Sequence, residues 1–398
     1  MARFLFVVPP FVGHIYPTVM VGQELMARSH EVIWVGPHDA LKRLLPPAAP
    51  RIGLTLRDDS VDSERLMKRF QAVRGFANLK LMWEEVLCPL ARAMFPEVVD
   101  AAQRFQPDVL ISDQQTLAGA LAARKLGLRW ATSATTPADR VSALKWLPKV
   151  SQWIEAQLDS LQRDLGLEPV RVPEDSPYLV LSFVTKELAG PDSVFNPQYR
   201  FVGPAIGHRP DPTPFPWEQL GQLPRVLASL GTLNGERGGQ FFRRLVDALG
   251  DLQVQVILVA PEGFGPYPDN FLVRTWVPQL KLLPQVNLLI SHAGSNAVYE
   301  ALSYGLPLVV LPITDDQPII AQQVVEAGCG LRLSFARSKP GDIREAVYRV
   351  LTEPGFRQAA SRIRTSFERA GGTARAAELL EQLATDAPGK VEIMKPFE

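Results

Sequence analysis

Residues 288–312 read LLISHAGSNAVYEALSYGLPLVVLP. An apolar run ends at a small polar turn, His292-Ala293-Gly294-Ser295-Asn296. A helix-like stretch begins at about Asn296, closes at Gly305, and a second apolar run follows. Short continuous apolar runs of this kind suit strands buried on both faces, so the stretch spells strand, helix and strand of a parallel sheet. The turn aims backbone N–H groups and the positive end of a helix at one point, which suits a pyrophosphate. The same residues also suit a plain strand-to-helix turn with Asn or Ser as its cap.

Outward from there, the rhythm fills the second half of the chain. PRVLASLGT reads as a strand ending in a glycine turn, GGQFFRRLVDALG as a helix, and QVQVILVA and FLVRTW as further buried strands. IIAQQVVEAG is another helix closed by glycine. The first half alternates in the same way. RFLFVV, EVIWVG and VLISD (109–113) read as strands, and a helix is predicted from about Pro17 to Arg28 with proline in its first turn. LAGALAARKLG is a helix stopped at Gly127, and regions 76–105 and 141–165 are also helical in pattern. GPAIGHRPDPTPFPWEQLGQLP, 203–224, keeps neither period and reads as a linker. The expected division is a domain over 1–205, a linker over 206–223, a domain over 224–385 and a tail over 386–398. Alternating elements with short connections predict an α/β protein of two Rossmann-like domains, their parallel sheets facing a cleft, with ligands at the carboxyl ends of strands.

Composition narrows the function. The 398 residues are 46% hydrophobic and 21% charged, with 42 basic and 42 acidic side chains. A neutral chain lacks the cation excess that sequence-independent nucleic-acid binding needs. Cys88 and Cys329 make no disulfide framework, and no apolar run is long enough to span a bilayer. The opening apolar run breaks at Pro9-Pro10 with no cleavage-site pattern, so a cytoplasmic protein is expected.

Strand ends in the second half carry a coherent set of groups. In TWVPQ, Trp276 can stack on a base and the backbone at Val277 can reach the base edge; a core tryptophan is the plainer alternative. His292, Gly294, Ser295, Asn296 and Ala297 form the phosphate turn, and Glu300 points back toward a ribose. Asp316 and Gln317, in TDDQP, suit paired sugar hydroxyls. The adjacent Asp315 and Asp316 lack further metal-ligand spacing. Together these groups spell a nucleotide sugar. In the first half, PPFVGHIYP sets His14 just past strand one, where an imidazole titrating near neutrality can accept a proton.

Residues 276–317 resemble the signature box of family 1 glycosyltransferases, the UDP-sugar-dependent inverting enzymes of the GT-B fold. The order W-x-P-Q, H-x-G-x-N, then E four residues on, then D-Q is kept, with a slightly short interval between Gln279 and His292. DDQP, EAGCGLRLSFAR and AGGTARAAELLEQ look closest to the bacterial branch with zeaxanthin and macrolide glycosyltransferases. The resemblance implies His14 as general base and Asp113 as the carboxylate that orients it. It implies phosphate contacts from Gly13 and from the SLGT turn, Ser229, Gly231 and Thr232, and a donor-sugar contact from Thr135. It implies no metal, and a UDP-sugar as co-substrate rather than a cofactor. Ser295 and Ala297 stand where the family has tryptophan and serine, so the backbone of the turn can still cradle phosphate while one side-chain hydroxyl is lost.

The acceptor is expected to be small and hydrophobic, with Phe11, Trp83, Trp146 and Trp153 as its pocket; ordinary packing is the alternative for these aromatics. The stretch ALKWLPKVSQWIEAQ could instead touch a membrane surface. The expected activity is transfer of a hexose, glucose from UDP-glucose, onto an acceptor hydroxyl. The alternatives are a dTDP-deoxysugar-dependent natural-product transferase and a non-catalytic nucleotide-sugar-binding helper. No G-x-G-x-x-G follows strand one, which disfavours a nicotinamide dehydrogenase, and no carboxylate pair marks a glycosidase.

Overall fold

The computed structural model describes residues 1–55, 76–135, 148–170, 175–190, 197–207, 213–231, 238–314 and 316–385. Thr232, Trp146, Asp315 and the tail 386–398 lie outside them. The chain forms two compact units. The first holds 1–185, 193–207 and 370–398; the second holds 186–192 and 208–369. The expected boundary near 205 is therefore incomplete, because the chain returns to the first unit after Arg369.

The first unit is built on a seven-stranded parallel sheet: β1 (Arg3–Val7), β2 (Glu31–Pro37), β3 (Arg51–Leu54), β4 (Val109–Asp113), β5 (Trp130–Ala134), β6 (Leu179–Ser182) and β7 (Tyr199–Phe201). Their order is β3-β2-β1-β4-β5-β6-β7. Alternate residues of β1 serve the two faces. Phe4 and Phe6 enter one core with Trp34, helix α1 (Val12–Ala27) and the closing helix Gly372–Thr385. Leu5 and Val7 enter the other, under the helices Cys88–Phe105 and Leu117–Leu126. Trp34 stacks on Phe6 with ring centroids 5.5 Å apart, and its indole occupies the space a side chain at Gly22 of α1 would need.

The closing helix buries Ala376, Ala377, Leu380 and Leu383 in that first core. Its Glu381 carboxylate accepts from His30 Nε2 at 2.8 Å and Arg28 Nη1 at 3.0 Å. These partners, the His30 bond foremost, hold the Glu381 carboxyl below its ordinary range. Arg129 Nη1 donates to the Leu383 carbonyl at 2.9 Å.

The second unit has a six-stranded parallel sheet: β8 (Arg225–Ser229), β9 (Gln255–Val259), β10 (Phe271–Arg274), β11 (Leu288–Ser291), β12 (Leu308–Val310) and β13 (Gly330–Arg332). Their order is β10-β9-β8-β11-β12-β13. The strands read from sequence at 288–291 and 308–310 are both present, joined by the helix Ser295–Ser303. No described helix is long and apolar enough to cross a membrane.

Candidate active site

In each sheet the strand order reverses once, between β1 and β4 and between β8 and β11. Outside the carboxyl ends of such strand pairs the flanking connections diverge, leaving a crevice. His14 and Asp113 lie at the first of these places, and Ser229, Gly231, His292 and Gly294 at the second.

His14 lies in the first turn of α1, which begins at Val12 rather than at Pro17 as the sequence suggested. Pro17 stands inside the helix and has no N–H for the Gly13 carbonyl. The helix continues nonetheless, and Thr18 helps tie it down. The Thr18 hydroxyl donates to the Ile15 carbonyl at 2.7 Å and accepts from the Trp34 indole at 3.2 Å.

Asp113 ends β4, and Thr135 follows β5. β4 neighbours β1 in the sheet and β5 lies on the far side of β4, where Asp113 pairs in register with Ser133. His14 Nδ1 lies 2.9 and 3.0 Å from the two Asp113 carboxylate oxygens. Thr135 Oγ1 lies 2.8 Å from the same Nδ1 and donates to Asp113 Oδ2 at 3.1 Å. The Gln115 backbone N–H donates to Asp113 Oδ1 at 2.9 Å. All three side chains are buried, at 7% exposure for His14, 2% for Asp113 and 3% for Thr135. Because a carboxylate only accepts, the proton of the neutral ring belongs on Nδ1 and the lone pair on Nε2. Such a ring can take a proton at Nε2, with the imidazolium stabilised by the carboxylate behind it.

The threonine's link to this pair had no signal in the sequence. Phe11, the cap residue of α1, sets its ring 5.8 Å from the His14 ring. Trp83 and Trp153 pack, partly buried, against the core beneath the Cys88–Phe105 helix.

In the second unit, Ser229 ends β8 and its hydroxyl accepts the Gly231 N–H at 3.2 Å. The His292 ring fits between Gly231 and Gly294: a Cβ on either would come within 2.6 or 2.5 Å of it. Gly231 also takes φ +72°, a conformation that penalises other residues. Burial pushes the His292 pKa down to about 4, against the opposing pull of the Ser229 carbonyl, so the ring is neutral near pH 7. Its Nδ1 is buried without a hydrogen-bond partner. Ala293 takes φ +66° and donates its N–H to Ser291 Oγ at 3.2 Å. The Ser295–Ser303 helix starts at Gly294, which has no side chain to cap it, so the end bearing Ser295, Asn296 and Ala297 keeps its positive dipole.

Trp276 is half exposed just past β10, while Val277 is buried. Gln279 Nε2 donates to Glu300 at 2.6 Å, joining the W-x-P-Q segment to the Ser295–Ser303 helix. Asp316 caps the helix Gln317–Glu326 by position. Gln317 Oε1 accepts from the N–H groups of Ile313 and Thr314 at 2.9 and 3.1 Å, so its carbonyl closes the turn after β12. The structure thus brings His14, Asp113 and Thr135 together in one unit, and Ser229, Gly231, His292 and Gly294 together in the other.

Comparison with known proteins accords with this architecture. The family described as the erythromycin biosynthesis protein CIII-like C-terminal domain matches residues 243–383. The chain is 28% identical to a demethyllactenocin mycarosyltransferase from Streptomyces fradiae, over 97% of this chain and 87% of that one. It is also 28% identical to a zeaxanthin glucosyltransferase from Pantoea ananas, over 96% of each. The crystal structure of the glycotransferase of kitacinnamycin superposes with a TM-score of 0.78 at 25% identity, covering 96% of this chain and 99% of that one. Two parallel α/β units, the ordered box from Trp276 to Gln317 and near full-length relatives converge: the chain has the GT-B fold and is similar over nearly its whole length to glycosyltransferases of the family 1 kind.

Proposed function

We propose that the protein is an inverting, metal-independent transferase that moves glucose from UDP-glucose onto a hydroxyl of a small lipophilic or aromatic acceptor. His14 is the general base and Asp113 orients it. The acceptor hydroxyl gives its proton to His14 Nε2 while its oxygen attacks the anomeric carbon, and the bond to the nucleoside diphosphate breaks. One displacement inverts the configuration. The observation that carries this reading is the buried contact of His14 Nδ1 with both Asp113 oxygens, at 2.9 and 3.0 Å. The carboxylate fixes the tautomer and stabilises the positive ring, as the aspartate does in a serine triad.

The second unit supplies groups suited to the donor. Trp276 offers a half-exposed indole for the uracil ring, and Gln279 holds Glu300 where a ribose acceptor is expected. The turns at Ser229–Gly231 and His292–Ala297 are suited to the phosphates, and Asp316 and Gln317 to the sugar. Phe11, whose ring lies 5.8 Å from that of His14, stands on the acceptor side in this reading. The protein works in the cytoplasm, where a lipophilic acceptor also allows contact with a membrane surface.

A second reading, a dTDP-deoxysugar donor, is favoured by Ser295 and Ala297, which depart from the family box. The likeness to a mycarosyltransferase supports it, and the likeness to a glucosyltransferase supports glucose. Release of nucleoside diphosphate from UDP-glucose and from dTDP-sugars, measured without divalent metal against a panel of alcohols and phenols, decides between them. Acceptor-dependent turnover of UDP-glucose is expected, falling about 10²- to 10⁴-fold in His14→Ala. Donor binding without turnover on any acceptor, unchanged by that substitution, would mark a non-catalytic binding protein.

A further inference from the structure

The hydroxyl of Thr135 is the one side-chain group that touches both members of the His14–Asp113 pair among the described residues. It lies 2.8 Å from His14 Nδ1 and 3.1 Å from Asp113 Oδ2. The residue is 3% exposed, and its backbone continues directly from β5, whose neighbour β4 carries Asp113. A hydroxyl has one proton and two lone pairs. Asp113 can only accept, so the Thr135 proton goes to Oδ2, and a lone pair of Oγ1 faces the Nδ1–H of the neutral imidazole. The Nδ1 proton is thereby shared between the carboxylate and the threonine oxygen. Rotation of the ring would break contacts with both.

We propose that Thr135 is a positioning residue of the catalytic pair rather than a contact to the donor sugar, an inference that rests on His14 being the base. Its hydroxyl holds the Asp113 carboxylate against Nδ1 and keeps the ring in the Nδ1–H tautomer, with Nε2 as the basic nitrogen. A buried hydroxyl engaged with both an imidazole and a carboxylate has little left to offer a sugar, and an alternative tautomer would leave the Asp113 carboxylate facing a lone pair. The chemistry requires the hydroxyl and not the methyl group, so serine should serve where valine does not.

The test compares Thr135→Val with Thr135→Ser, using UDP-glucose and the best phenolic acceptor of the panel. Thr135→Val is expected to lower kcat about ten- to hundred-fold, the scale of a hydrogen bond to a charged group. The KM for UDP-glucose should stay within about twofold, and Thr135→Ser should recover most of the rate. In an Asp113→Asn background the valine substitution should add less than about threefold, because residues acting as a unit are not additive. Imidazole nitrogen NMR of His14 gives a readout independent of turnover: the Nδ1–H form should dominate in the wild type and give way to a mixture in Thr135→Val.

A loss confined to the KM for UDP-glucose, additive with Asp113→Asn, would make Thr135 a sugar contact and overturn the proposal. Wild-type kcat together with an unchanged imidazole spectrum would overturn it equally. Full activity in His14→Ala would remove the base assignment itself and the proposal with it. Inactivity of His14→Ala beside an unimpaired Thr135→Val would remove only the threonine's role.

Discussion

His292 shows how one side chain can serve a turn by staying uncharged. Its ring fills the space left by Gly231 and Gly294, and burial takes its pKa from 6.5 to about 4. Between those values the unfolded chain binds a proton that the folded ring refuses. Stability is therefore expected to fall as pH drops from 6.5 toward 4, and to fall less steeply in His292→Gln. Melting temperatures at pH 7 and pH 5 measure this, and identical slopes in the two proteins would assign the acid sensitivity elsewhere. His14 and His292 were legible in sequence, since each sits where an apolar run meets a polar or glycine-bearing turn, whereas Asp113 was reached only through the family resemblance. The part played by Thr135 was not. Its partners lie 22 and 121 residues away, and only the adjacency of β1, β4 and β5 brings them within reach.

At the scale of the element, α1 carries the histidine and its seat is set by a single close approach. A methyl group at Gly22 would overlap the Trp34 indole, so the helix would have to move away from β2. Gly22→Ala is expected to cost roughly 1–3 kcal/mol of stability, the usual penalty of overpacking. It should also depress kcat, because α1 would carry His14 off Asp113. Urea unfolding together with steady-state kinetics checks both, and a destabilised enzyme of normal kcat would show that α1 tilts about its first turn instead. Short elements escaped the sequence reading for a related reason. β5, WATSA, mixes small and hydroxylated residues, so it lacks the continuous apolar run that marked the other central strands. The start of α1 was hidden by Pro17, which suggested a first turn where the helix in fact runs through.

For the whole molecule, the decisive fact is that the closing helix Gly372–Thr385 belongs to the first unit. Its amphipathic pattern named a buried face, but a pattern cannot say which of two cores receives it. Leu380 is fully buried there, so Leu380→Ala is expected to cost about 2–5 kcal/mol. Hydrogen exchange should quicken at the amides of β1 and β4 while β8 and β11 keep their protection; equal loss in both sheets would show that the units do not unfold separately. This crossing also orders events at the ribosome. Because the second unit is made before residues 372–385, the first sheet waits with one flank uncovered until the last described helix emerges. Anyone exchanging acceptor specificity between such enzymes by splicing the leading half alone would leave that half fastened to a foreign helix. A transplant that keeps its own trailing segment carries the matching apolar face and the Arg28–Glu381–His30 clasp along with it.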